Sequence, residues 1–188
     1  EVITDTIDQV KETGILVSSG DFIEADIIVT ATGLNMEFLG GADISVDGQK
    51  LLMPKLVSYK GMMYAEVPNF IQTFGYINAS WTLRADLTAE WVCRVLNHMD
   101  EFGYDQATPR IPELLAKTME KRFWIDDFSA GYMQRMMPNF PRQGTQMPWL
   151  NPQDYRKDKK MFRGSAIADG ALIFTRSESE SVELKAAS

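Results

Sequence analysis

The chain has 188 residues, 45% hydrophobic and 24% charged, enough apolar material for a sizeable core. A net charge of -7 argues against a nucleic-acid-binding face, and no apolar run approaches the ~18 residues of a membrane span. One cysteine, Cys93, leaves no internal disulfide and fits a reducing, cytoplasmic setting; with one histidine, His98, it is too small a set for a zinc site.

In chain order, the opening "EVITDTIDQV" reads as a strand already under way, without an initiating Met or a secretory leader. The expectation is a fragment of a longer protein. "TGILVSSGDFIEADIIVTATG" then holds a short strand at residues 15–18, a turn at Ser19-Gly20-Asp21 and a strong strand running to Thr30. Between residues 34 and 53, Gly40-Gly41 and Asp47-Gly48 signal turns around a short alternating "ISV". "LVSYKGMMYAEV" and "NFIQTFGY" are further strand candidates.

A helix is expected over residues 82–101. Leu83, Leu87, Trp91, Val95 and Met99 recur every fourth residue, with Val92 and Leu96 beside them. Asn78 and Ser80 are cap-type residues, and Gly103 is a stop signal. A second helix should run from Ile111 or Pro112 to about Phe123, and a short third from near Ser129. "PRQGTQMPWLNPQDYRKDKK" reads as an extended surface segment, "GALIFT" as a last strand, and the serine- and glutamate-rich tail as disordered.

Two strand ends invite a ligand. At Ala31-Thr32-Gly33, three small residues close a strong strand and would let a dinucleotide approach the backbone. A plain strand-to-turn exit reads equally well. The second is Gly75 followed by Asn78, Ala79 and Ser80 ahead of the long helix. The unpaired N–H groups of a helix N-terminus can hold a phosphate or the electron-rich edge of a flavin ring. An ordinary βα unit explains the same residues. Trp91 belongs to the core; Trp81 and Trp149 sit in loop contexts and are open to lining a pocket or to packing. Cys93 and His98 have no activating partner in the sequence, Asp126-Asp127 has the look of a solvated pair, and Lys60, Arg84 and Arg94 are bases of the kind that could meet an anion. Neither a glycine-rich phosphate loop nor a complete catalytic constellation is present, and the catalytic residues are unknown.

The stretches "ADIIVTATGLNM", "VPNFIQTFGYINASWTLRADLTAEWVCRVLNHM" and "FSAGYMQRMMPNFPRQGTQMPW" resemble the C-terminal part of class B flavoprotein monooxygenases, in particular Baeyer-Villiger enzymes of the ethionamide-activating type. The resemblance covers residues 2–174 and implies an α/β fold: an incomplete FAD/NAD(P)-binding fold of two dinucleotide-binding domains with a mostly irregular C-terminal extension. Residues 1–33 would be closing strands of the NADPH-binding domain, residues 34–140 the C-terminal part of the FAD-binding domain, and residues 141–188 an extended segment and tail.

By the same resemblance, Ala31, Thr32 and Gly33 would form a hinge between domains, and Gly75, Asn78, Ala79, Ser80 and Trp81 would lie by the flavin. The parent would use FAD and NADPH to insert one oxygen atom from O2 into a ketone, or onto a sulfur or nitrogen centre. The family's FAD- and NADPH-binding glycine motifs, fingerprint and catalytic arginine lie upstream. The chain is therefore expected to be inactive alone and to need the upstream half of the same protein; exposed apolar strand edges would also favour a homo-oligomer. A non-catalytic α/β interaction module is the alternative; a disulfide-reductase-like flavoprotein is disfavoured by the lone cysteine.

Overall fold

The computed structural model describes residues 1–126 and 129–176. Asp127 and the tail from residue 177 lie outside the described residues. The chain divides into two compact units, Glu1–Leu34 and Asn35–Ser188.

The first unit is an antiparallel meander of β1 (Ile7–Lys11), β2 (Gly14–Val17) and β3 (Phe22–Glu24), in the order β1-β2-β3. The β2 strand is the one expected at residues 15–18. The strong strand expected to end at Thr30 is absent: after Ala25 N–H donates to Thr13 O at 3.0 Å, residues 26–34 join no sheet. Its β-branched residues favour an extended backbone, but a strand also needs a paired neighbour, and residues 26–34 pair with none among the described residues.

The second unit begins with a hairpin of β4 (Ser45–Val46) and β5 (Gln49–Lys50), turned at Asp47-Gly48 as expected. A second hairpin follows, β6 (Ser58–Tyr59) and β7 (Met63–Tyr64). The strand expected at residues 70–75 does not form; that stretch joins no sheet among the described residues, though Gln72 N–H donates to Met62 O at 2.8 Å. The helix α1 (Trp81–Phe102) then buries Leu87, Trp91 and Val95 on one face, and Gly103 ends it in the left-handed region at φ 66. Leu96, expected beside that face, is exposed.

Strand β8 (Gln106–Pro109) leads to α2 (Glu113–Thr118), which stops short of Phe123 because Arg122–Phe123 form β9. The short α3 (Gly131–Met136) comes where a third helix was expected. The stretch expected to be extended surface is instead folded into the core. It contributes β10 (Arg142–Gln143), paired with β9, and α4 (Tyr155–Gly164), capped by Asp154 Oδ1 accepting from Lys157 N–H at 2.9 Å. Its Trp149 is 1% exposed. The "GALIFT" strand is β11 (Leu172–Thr175), antiparallel to β8.

The architecture is thus mixed α/β, and each of its small sheets among the described residues is antiparallel. Two apolar clusters hold the second unit. One packs Leu87, Trp91 and Val95 of α1 against Met62, Met63, Trp149, Phe162 and Leu172. The other is aromatic: Trp124 and Phe140 with Phe38 and Phe74, their rings meeting edge-on or tilted. Each fully buried large side chain contributes about 1.5–3 kcal/mol.

Candidate functional site

The hairpin turn between β6 and β7 sets the site. Lys60 adopts a positive φ of 51, followed by Gly61 at φ 65. Such a conformation is strained for a lysine, and it persists where neighbours over-determine it. Here Lys60 N–H donates to Pro148 O at 2.6 Å, while Arg84 of α1 donates to Lys60 O at 2.5 Å. Gly61 is required beside it, because a Cβ there would stand 2.6 Å from both Arg84 Nη2 and Asn151 Oδ1.

The Lys60 side chain is 1% exposed. Its ammonium lies 3.0 Å from Asp169 Oδ2, donates to Ser165 Oγ at 3.1 Å and sits 3.8 Å from the Trp91 ring centroid. Burial pushes the Lys60 ammonium below its ordinary pKa, against the pull of Asp169. Asp169 also accepts from Tyr59 OH at 2.6 Å, and its other oxygen accepts the N–H groups of Ala171 and Leu172 at 3.0 Å each. Burial pushes its carboxyl up, but the donors from Tyr59, Leu172 and Lys60 prevail and leave it below the usual carboxylate value. Tyr59 is pushed well up by burial and by the carboxylate it faces.

Lys60, Ser165 and Asp169 stand on the wall of an open cleft of about 950 Å³. One face of α4 supplies Lys157, Lys160 and Met161, and the loop after β10 supplies Met147, Pro148 and Leu150. That volume lies in the range of small-molecule sites, ~300–1,000 Å³. Of the eight residues singled out in the sequence, Asn78 lines this cleft. Ala79, Ser80 and Trp81 follow it at the start of α1, all exposed. Ser80 Oγ bonds Thr82 Oγ1 at 2.7 Å and does not cap the helix. Gly75 is covered by the chain itself: a Cβ there would lie 2.1 Å from Trp81 Cγ. Ala31, Thr32 and Gly33 belong to the first unit, where they are exposed and Gly33 takes φ 88.

The three bases noted in the sequence are satisfied internally. Arg84 pairs with Asp158, Arg94 donates to the carbonyls of Phe162 and Ser165 at 2.5 and 2.8 Å, and Lys60 meets Asp169. Asp126 pairs with Arg122 at 3.3 Å. Cys93 is exposed, and His98 packs among Phe102, Tyr104 and Phe174. Sequence reasoning missed Tyr59 and Asp169 altogether; a lysine at a turn inside the apolar run "YKGMMY" was the available signal. Among the described residues, no group of His, Cys, Asp and Glu could hold a metal ion, and no helix is long and apolar enough to cross a membrane.

No protein-family model matches the chain, and neither does any solved structure. Curated relatives do match. The FAD-containing monooxygenase EthA of Mycolicibacterium smegmatis is 44% identical over 176 residues, 94% of this chain and 35% of the relative. The putative FAD-containing monooxygenase MymA of Mycobacterium tuberculosis is 43% identical over 173 residues, 92% of this chain and 34% of the relative. The probable FAD-binding monooxygenase AlmA of Acinetobacter baylyi is 40% identical over 186 residues, 98% of this chain and 36% of the relative. The chain therefore spans about a third of the length of the relatives it matches, 35% for the first of them. By sequence it is similar to the C-terminal part of these FAD-containing and FAD-binding monooxygenases.

Proposed function

We propose that this chain is the C-terminal portion of an FAD- and NADPH-dependent monooxygenase. The parent would insert one oxygen atom from O2 into a ketone in the Baeyer-Villiger sense, or onto a sulfur or nitrogen centre. The observation that carries the reading is the 44% identity, over 94% of the chain, to a protein named as an FAD-containing monooxygenase.

The residues present suit one side of a flavin and not the whole cofactor. Asn78 brings an uncharged donor and acceptor to the cleft wall. The Ser80 side chain does not cap α1, and although Leu83 N–H donates to Ser80 O at 3.3 Å, the start of the helix keeps its partial positive charge for an electron-rich group. Trp81 covers Gly75 and is 56% exposed, so of the two it is the side chain available to a ligand. The phosphates of a dinucleotide would need a glycine-rich loop, which this sequence does not contain. Bound FAD, reduced by NADPH, would supply the oxygen-activating chemistry. The chain's own part would be to orient the ring, wall off water and shape the substrate side of the cleft.

Flavin absorbance tests this directly. The isolated chain should retain little FAD, and the chain joined to the upstream part of its parent should purify yellow and consume NADPH when given a ketone or a sulfide. A joined protein that stays colourless would defeat the reading in favour of a non-catalytic interaction module.

A further inference from the structure

The charges on the cleft wall do not cancel. The wall carries three lysines, Lys60, Lys157 and Lys160, and two carboxylates, Asp126 and Asp169. Asp169 is taken by Lys60, Tyr59 and the N–H groups of Ala171 and Leu172. Asp126 is taken by Arg122 and by Gln143 Nε2, each at 3.3 Å. Lys157 and Lys160 remain, and among the described residues neither forms an ion pair. Asp154, the carboxylate that feels the Lys157 charge, is committed to capping α4. The charge left open to a ligand is therefore positive, on a chain whose net charge is -7.

Helical spacing brings that charge beside apolar surface. Lys157, Lys160, Met161 and Gly164 are three and four positions apart on α4, so they share one face, and all four line the cleft. Ile77, Ile125, Met147, Pro148 and Leu150 line it as well. Met147 is 43% exposed, a large apolar side chain left in water at the cleft wall. A volume of about 950 Å³ has room for a body as well as a head group. A small inorganic anion would leave the apolar wall uncovered, and a neutral apolar molecule would leave two ammonium groups unanswered. A molecule with both parts satisfies both.

We propose that the cleft takes an amphipathic organic acid, its carboxylate against Lys157 and Lys160 and its apolar body against Met147, Leu150 and Met161. For the acid to be a substrate, the proposal rests on the monooxygenase reading above; the carboxylate is then a handle, and the group oxidised sits on the apolar body. Lysine also meets phosphate as a point charge, so the phosphate of a dinucleotide is the competing occupant of the same two groups.

Calorimetric titration with decanoate, decanol and decyltrimethylammonium, one tail under three head charges, tests this. Decanoate should bind the chain one to one and at least about tenfold more tightly than decanol, with the cation weakest. That advantage should shrink as salt is raised. Lys157→Gln combined with Lys160→Gln should bring decanoate down to the affinity of decanol and leave decanol unchanged. Lys159→Gln removes the same charge from the same helix, at a side chain that faces the Tyr155 ring and does not line the cleft, and should change neither. All three lysines are exposed, and circular dichroism checks that the variants keep the fold.

No binding, equal affinity for decanoate and decanol, or a preference that survives the double substitution would overturn the proposal. An equal loss in Lys159→Gln would do the same, by reducing the effect to overall charge. Displacement of decanoate, but not decanol, by an equal concentration of NADP+ would assign the two lysines to a phosphate instead. Flavin absorbance of the chain joined to its upstream part reports on the monooxygenase reading separately. Charge-selective binding with a colourless joined protein keeps the acid site and sinks that reading; a yellow joined protein without the selectivity does the reverse.

Discussion

Arg84 on α1 and Asp158 on α4 form an ion pair that is almost wholly inaccessible, at 1% and 0% side-chain exposure. The same guanidinium reaches Lys60 O, so one side chain ties two helices to the strained turn at the cleft. Burial pushes the Asp158 carboxyl above its ordinary value, with Arg84 pulling it back. Removing one partner strands the other charge out of water.

Arg84→Met and Asp158→Asn should each destabilise the second unit by about 3–5 kcal/mol. The double replacement Arg84→Met with Asp158→Leu should cost clearly less than the two single costs added together, because no lone charge remains. Urea unfolding checks this. Additive losses would show that the pair does not act as a unit.

Asp169 gives the cleft a pH dependence of definite sign. Against the effect of burial, Tyr59, the Leu172 N–H and Lys60 hold its folded pKa below the usual carboxylate value. The contribution of its carboxylate is therefore complete above the unfolded value and is lost as pH falls through the folded one. Native chain should lose stability in that acid window, and Asp169→Asn should lose it already at neutral pH and change less below 3.8. Equal acid slopes for the two proteins in urea titrations would discount Asp169 as the source.

Gly75→Ala should expel the Trp81 ring, since the new Cβ would meet Trp81 Cγ at 2.1 Å. Trp81 is already half in solvent, so stability should fall by only about 1–3 kcal/mol. Its fluorescence should become more open to an aqueous quencher. A Gly75→Ala protein with native quenching would mean that the ring does not hold this position.

Trp149→Ala should cost about 3–5 kcal/mol, the loss typical of a buried aromatic. The indole packs edge-on against Tyr59 at 5.7 Å between centroids and belongs to the core cluster around Trp91. A near-neutral substitution, measured by thermal melting, would return residues 141–150 to the surface where the sequence pattern had put them.

Much of the helical skeleton could be read in advance. The spacing of Leu87, Trp91 and Val95 announces α1, and Gly103 its end. Hairpin chemistry at Asp47-Gly48 and the apolar "GALIFT" also translate directly. The misses share a cause. Residues 27–30 and 70–75 have strand composition but join no ladder; Gln72 N–H donates to Met62 O at 2.8 Å without a sheet forming there. Proline, glutamine and charge between residues 141 and 160 looked like surface, yet Gln143, Trp149, Asn151 and Asp158 are buried. Asp158 is hidden because Arg84, 74 positions away, supplies its counter-charge.

The sequence by itself determined the local periodicities, the turns and, through long quoted stretches, the kinship with flavoprotein monooxygenases. Tertiary structure alone decided that Lys60, Tyr59, Ser165 and Asp169 converge, and that Trp81 lies over Gly75. Periodicity is a property of neighbours along the chain, whereas the environment of a charge depends on groups more than a hundred residues distant, such as Asp169 for Tyr59 at a separation of 110.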